Sequence, residues 1–269
     1  MNIKWIIRHG AMRMMGVFDP ESSSYSRRDR VLIRTQRGIE FGEILCESTP
    51  ETIKWLVDPT SGTIIRKPTP NDDLQIQHLK TFESNALDTC AKLSAAKGLQ
   101  MALVDAESLF GGERLVFYYL AEGRIDFRDL VKNLAREFQT RIEMKQIGVR
   151  DEAKLLADYG DCGKPVCCNS HLIVMPPVSM KMARMQKSSL DPNKISGRCG
   201  RLKCCLRFEQ DVYDANQKDL PEVGSLVTTD KGKGKVLAQE ILARKILVQF
   251  DDGRRISVLH SEVFGSSDI

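Results

Sequence analysis

Histidine is scarce in this chain: four in 269 residues, at positions 9, 78, 171 and 260, with no pair spaced for a zinc protease. A glycine-rich phosphate loop and a serine-hydrolase elbow are missing too. These absences remove the usual hydrolases and nucleotide-driven enzymes. The one catalytic pairing on offer is Cys168 with His171, and nothing else is at hand to complete a site, so a non-enzymatic protein is expected. An apolar core is also lacking at the N-terminus, where Arg8 cuts off Trp5-Ile6-Ile7 far short of a signal peptide or a membrane span. The expectation is a cytoplasmic protein without membrane insertion. Arg8, Arg13 and the stretch from Ser22 to Arg28 have the flavour of a transit signal, but Asp19 and Glu21 interrupt it and a strand with a loop is the simpler reading. Neither sign of charge dominates, since 40 Lys+Arg against 36 Asp+Glu leave only +4. Any argument for nucleic acid must therefore rest on local patches.

Cysteine is plentiful. Of eight, six fall into one pattern written twice, Cys162-Gly163-Lys164-Pro165-Val166-Cys167-Cys168 and Cys199-Gly200-Arg201-Leu202-Lys203-Cys204-Cys205, each position offset by 37 from its counterpart. Clustered thiolates of this kind hold zinc or iron and sulfide, and a reducing compartment favours metal or thiols over disulfides. Gly163 and Gly200 permit the close backbone approach and positive φ that converging sulfurs need. Adjacent cysteines on a strand point to opposite faces, so both reach one centre only on irregular backbone. The spacing sits at the edge of zinc usage and within that of a four-iron cluster, and Lys164, Arg198, Arg201 and Lys203 would offset cluster charge or contact phosphate. Iron–sulfur, zinc and unmetallated thiols all stay open on chemistry alone. His171 lies near enough in sequence to ligate or to orient a ligand, while Cys46 and Cys90 read as small buried hydrophobes.

Organisation follows from periodicity. Val31–Thr35 and Glu40–Leu45 read as strands joined at Gly38, part of a small antiparallel β barrel. Thr63–Arg66 is a candidate strand, and a long helix begins after Pro70 with Leu79, Phe82, Ala86, Cys90 and Leu93 on one face. Strands at 101–105 and 114–120, a helix from Asp126 and a strand at 141–147 complete a β-α-β-β-α-β order, the ferredoxin-like split βαβ arrangement. Phe117-Tyr118-Tyr119 offers a stacking platform for bases, though packing under the helices is the favoured reading. Pro177 precedes a short helix in which Met180, Met182 and Met185 form a flexible apolar face. After Gly224, short strands with turns at 231–234 and 252–253 have the grammar of an SH3-like barrel, and its Thr229-x-x-Gly232 echoes Thr35-x-x-Gly38. The expected class is α+β, divided as 1–67 (small β domain), 68–150 (ferredoxin-like), 151–215 (Cys-rich, cluster-binding) and 216–269 (SH3-like basic barrel). Lys231, Lys233, Lys235, Arg244, Lys245, Arg254 and Arg255 give that barrel a basic surface suited to RNA.

Three stretches carry a family resemblance: Ile125–Lys132, Arg141–Lys154, and the two cassettes with Val178-Ser179-Met180-Lys181-Met182-Ala183 and Lys194-Ile195-Ser196-Gly197 between them. They closely resemble the bacterial YaaT/RicT family, which shares the polymerase-suppressor C-terminal conserved region. The resemblance is strongest over 126–209 and extends back to Arg30. It implies a regulator that assembles with the small helical proteins of the Ric complex, binds an iron–sulfur cluster, expected as [4Fe-4S], and influences messenger-RNA processing through ribonuclease Y. The family's cysteine pattern maps onto Cys162, Cys167, Cys168, Cys199, Cys204 and Cys205, and RNA-binding relatives imply RNA contact here. A structural zinc module in a nucleic-acid-binding protein is the alternative.

Overall fold

Strand β1 (Trp5–His9) buries Ile6 and Ile7 in succession, which strict alternation forbids; a register shift between them against β4 (Ile39–Glu47) reconciles the two. With β2 (Met14–Pro20), β3 (Arg30–Arg34) and β5 (Thr60–Arg66) these strands close a barrel in the order β1-β2-β5-β3-β4. Ile7, Phe18, Val31, Ile33, Ile44 and Ile64 fill it. The coordinates are a computed structural model describing residues 3–21, 24–156, 159–172 and 174–267. Ser22 and Ser23, of the stretch weighed as a transit signal, lie outside the described residues.

Two expectations are corrected here. The barrel is not wholly antiparallel, because β2 and β5 run parallel. Closure needs Gly62, whose Cβ would meet the Arg34 carbonyl oxygen at 2.0 Å. The strand expected to open a ferredoxin-like sheet is β5 itself, already paired on both edges by β2 and β3. The central sheet therefore has three strands, β6 (Ala102–Ser108), β7 (Arg114–Leu120) and β8 (Arg141–Gln146), in that order.

After the short α1 (Pro50–Ile53), helix α2 (Pro70–Ala96) starts at a Thr69–Asp72 capping box with Pro70 in its first turn. Its buried residues Ala86, Cys90 and Ser94 recur every four positions and are all small, which lets the helix sit close to the sheet. Helix α3 (Arg128–Phe138) adds Leu130 and Leu134 to the same core. Helices α4 (Val149–Leu156) and α5 (Cys167–Ser170) end the first of two compact units, which runs to Val174.

The second unit, from Met175, holds α6 (Met180–Met185), α7 (Pro192–Ile195) and α8 (Cys204–Asp219), then β9 (Leu226–Thr229), β10 (Gly232–Glu240), β11 (Lys245–Phe250), β12 (Arg255–Leu259) and β13 (Val263–Ser267). The five strands form an antiparallel sheet in the order β12-β11-β10-β9-β13, with Val227, Val236, Ile246, Val248 and Val258 as its core. The echoed threonines build matching turns. Thr35 Oγ1 accepts from Arg37 N at 3.0 Å and lies 3.3 Å from the Gly38 carbonyl oxygen, while Thr229 Oγ1 accepts from Lys231 N at 3.2 Å and lies 3.1 Å from the Gly232 carbonyl oxygen.

Candidate cysteine site and basic face

Each cassette is a tight loop running into a helix, and the two loops share their hydrogen bonds. Gly160 N donates to Lys164 O at 2.9 Å and Gly163 N to Gly160 O at 3.0 Å; in the second copy Gly197 N donates to Arg201 O at 2.8 Å and Gly200 N to Gly197 O at 2.9 Å. Bridges Tyr159–Pro165 and Ser196–Leu202 close the loops at matching positions. The residue before each helix also matches, with φ/ψ of −56°/130° at Val166 and −56°/132° at Lys203. The sequence repeat is thus a structural repeat, and it explains the adjacent cysteines: Cys167–Cys168 and Cys204–Cys205 open helices rather than lie on strands.

Burial separates the copies. Cys162 is exposed, Cys167, Cys199 and Cys204 are half-buried, Cys168 is buried and Cys205 is exposed. Cys168 packs near α4, with its Sγ 4.0 Å from Arg150 O, and Arg13 Nη1 donates to the Asn169 carbonyl at 3.0 Å. Lys154, 9% exposed, lies within electrostatic range of Cys168, and burial holds its amine below the usual range. Nothing in the pattern of α4 signals that this lysine turns inward. Among the described residues no three His, Cys, Asp or Glu side chains are gathered as a metal site. The donor chemistry of the cassettes suits iron or zinc; a ready triad is not formed. Cys90, in the core, has its thiol pushed up to about 12 by burial, and Cys46 is half-buried on β4.

The basic residues of the second unit do not form one patch. Lys233, Lys235 and Arg255 are exposed, and the register carries Lys235 across Gln249 to Arg255 on the sheet's outer side. Lys231 sits in the adjoining turn, and Lys245 faces Glu240 across the β10–β11 pair. Arg244 and Arg254 are paired, with Asp219 at 2.7 Å and Asp252 at 2.5 Å. The aromatic run of β7 offers no stacking platform, because Phe117 and Tyr118 are wholly buried and Tyr119 is 4% exposed.

Inside the first unit, sequence reasoning missed a buried polar network. Glu107 accepts from Ala11 N at 2.8 Å, from the Tyr118 hydroxyl at 2.6 Å and from Arg37 Nη2, whose other amino group reaches Glu40 at 3.3 Å. Glu40 also accepts from Thr35 Oγ1 at 2.6 Å and pairs with His9 Nδ1 at 3.2 Å. Burial alone would raise the Glu40 pKa, but the bond to His9 and the Arg37 charge outweigh it and hold the carboxyl below its ordinary range.

The conserved-region profile described as "PSP1 C-terminal conserved region" matches residues 62–147, and "PSP1-like protein, third domain" matches 177–220, which spans the second cassette. The chain is 41% identical over 239 residues to Stage 0 sporulation protein YaaT of Bacillus subtilis, covering 89% of this chain and 86% of that protein. Shorter stretches are similar to Protein PSP1 of Saccharomyces cerevisiae, 39% identical over 27% of this chain and 8% of that one, and to an uncharacterised protein of Schizosaccharomyces pombe, 37% identical over 30% and 11%. No solved structure matches. The chain is an α+β protein of the PSP1 C-terminal-region class. Within that class it belongs to the YaaT family. No helix among the described residues is long and apolar enough to cross a membrane.

Proposed function

We propose that this chain is a non-enzymatic, cytoplasmic regulatory adaptor that holds an iron–sulfur cluster through Cys162, Cys167, Cys168, Cys199, Cys204 and Cys205. The observation that carries the reading is the cysteine loop built twice with the same hydrogen bonds and the same entry into a helix. Two copies of one local geometry, each offering thiols at matched places, suit a metal centre better than independent core cysteines do. A bound cluster would supply sensitivity to oxygen and iron; the residues themselves supply the ligands and the compensating charge.

Kinship to a protein named for stage 0 of sporulation supports a regulatory role. Its outlet, in this proposal, is messenger-RNA processing through ribonuclease Y and small helical partners of the Ric kind. Direct RNA contact falls to Lys233, Lys235 and Arg255 on the outer side of the C-terminal sheet, which we read as SH3-like from its meander and the short turn before β13. Anaerobic purification followed by iron and acid-labile sulfide analysis tests the cluster. Iron with equimolar sulfide is expected, and stoichiometric zinc without sulfide would replace the reading with a structural zinc module.

A further inference from the structure

Strands β7 and β8 are parallel neighbours, and α3 is the crossover between them. In such a unit the carboxyl ends of the strands and the amino end of the helix share one edge, the crevice in which open α/β sheets bind ligands and helix amides meet anions. Here a cavity of about 790 Å³ opens at that edge, lined by Tyr119, Arg124, Phe127, Arg128 and Gln146 among others. Small-molecule sites span roughly 300–1,000 Å³.

The lining carries unspent polar groups. Tyr119 is 4% exposed, its ring held edge-on by Phe127 at 6.2 Å, yet its hydroxyl has no hydrogen-bond partner among the described residues. Buried phenols ordinarily find one. Tyr119 lines the cavity, and its hydroxyl is not among the fully enclosed polar atoms that lack a partner. The residue before the eleven-residue α3, Phe127, has no side chain to cap it; Asp126 Oδ1 accepts from the Arg128 amide at 3.2 Å, and the amides of Asp129 and Leu130 meet no side-chain cap. Arg124 is exposed and makes no close ion pair among the described residues, its charge acting on Asp126 only at longer range. One carboxylate, Asp126, opposes an anion, but Arg128 Nε holds it at 2.9 Å and the pairing draws its pKa down to about 2. The balance of charge at the cavity is then the single cation of Arg124.

We propose that this cavity binds the phosphate of a nucleotide, free or at the end of an RNA strand. The phosphate oxygens accept from the Asp129 and Leu130 amides of the first turn of α3, from the Tyr119 hydroxyl and from Arg124, while Ile125 offers the apolar wall for the sugar and base. The site shares no residue with the cysteine cassettes, so it stands or falls apart from the cluster.

Isothermal titration calorimetry of the full chain with inorganic phosphate, adenosine monophosphate and a 5′-phosphorylated RNA hexamer tests it. A nucleotide probe is expected to bind, with Tyr119→Phe and Arg124→Gln each weakening it about tenfold and leaving the melting temperature unchanged. Tighter binding of the monophosphate identifies a free nucleotide, tighter binding of the hexamer an RNA end, and both support the proposal. Binding of neither nucleotide probe, or affinity unmoved by both substitutions, overturns it. Persistence of binding in a Cys162→Ser/Cys199→Ser chain separates this result from any loss of the cluster.

Discussion

Gly163 and Gly200 stand at the same place in two loops of matching hydrogen bonds, with φ of 73° and 71°. No atom lies within 4 Å of a Cβ built at either, so a side chain there meets no clash and is opposed by backbone conformation alone. Gly163→Ala and Gly200→Ala should each lose about 1 kcal/mol in denaturant unfolding, and Asn should recover part of it at both positions. A loss at one glycine and none at the other would contradict the equivalence of the loops.

Arg37 is the cation between two buried carboxylates, Glu40 and Glu107. Arg37→Met leaves both charges without their shared partner and should cost about 3–5 kcal/mol, as breaking buried pairs does. Adding Glu107→Gln to that variant should restore part of the loss, since an amide is cheaper to bury than a lone carboxylate. The double variant's chemical unfolding midpoint checks this; a midpoint lower still than that of Arg37→Met argues against the network.

Glu83 of α2 is pushed up to about 7, chiefly by burial, with Asp105 and Glu107 of β6 adding to the rise while the Ser108 amide and Lys80 oppose it. An unfolded glutamate loses its proton near 4.5, whereas the folded one keeps it until about 7. The folded state therefore holds the extra proton between these values, and stability falls as pH rises through that window. Glu83→Gln should flatten this part of the stability–pH curve. An unchanged slope would place the carboxyl in a more ordinary environment.

The outer side of the C-terminal sheet separates the seven basic residues into two groups. Charge reversal at Lys235 or Arg255 should weaken RNA binding and reduce the salt slope by about 1 each, while Arg254→Glu, already paired with Asp252, should do less. Filter binding across a salt series reads both quantities. Equal effects at all three positions would point to non-specific charge attraction.

Local features were legible in the sequence wherever chemistry and period agreed. The buried face of α2 through Ala86 and Cys90, the turn at Asp252-Gly253 and the twin cassettes are readable because each is specified within a few residues. Pairing partners were not. Nothing local to Thr60–Arg66 says that it joins β2 and β3 instead of the central sheet; that choice depends on Gly62 admitting the Arg34 carbonyl from a distant strand. The start of α3 was read at Asp126 and lies at Arg128, since Asp126 spends its side chain on the Arg128 amide before the helix begins. The burial of Cys168 against the exposure of Cys205 is equally hidden in the sequence, because the two heptapeptides of one pattern pack against different neighbours.

The central claim is that both cassettes serve one kind of metal chemistry. Iron and sulfide content of the anaerobically purified protein, measured beside Cys162→Ser and Cys199→Ser variants, tests it most directly. The account predicts an iron–sulfur cluster in the parent chain and its loss or depletion in both variants. A metal-free parent, or variants with undiminished iron and sulfide, would contradict it.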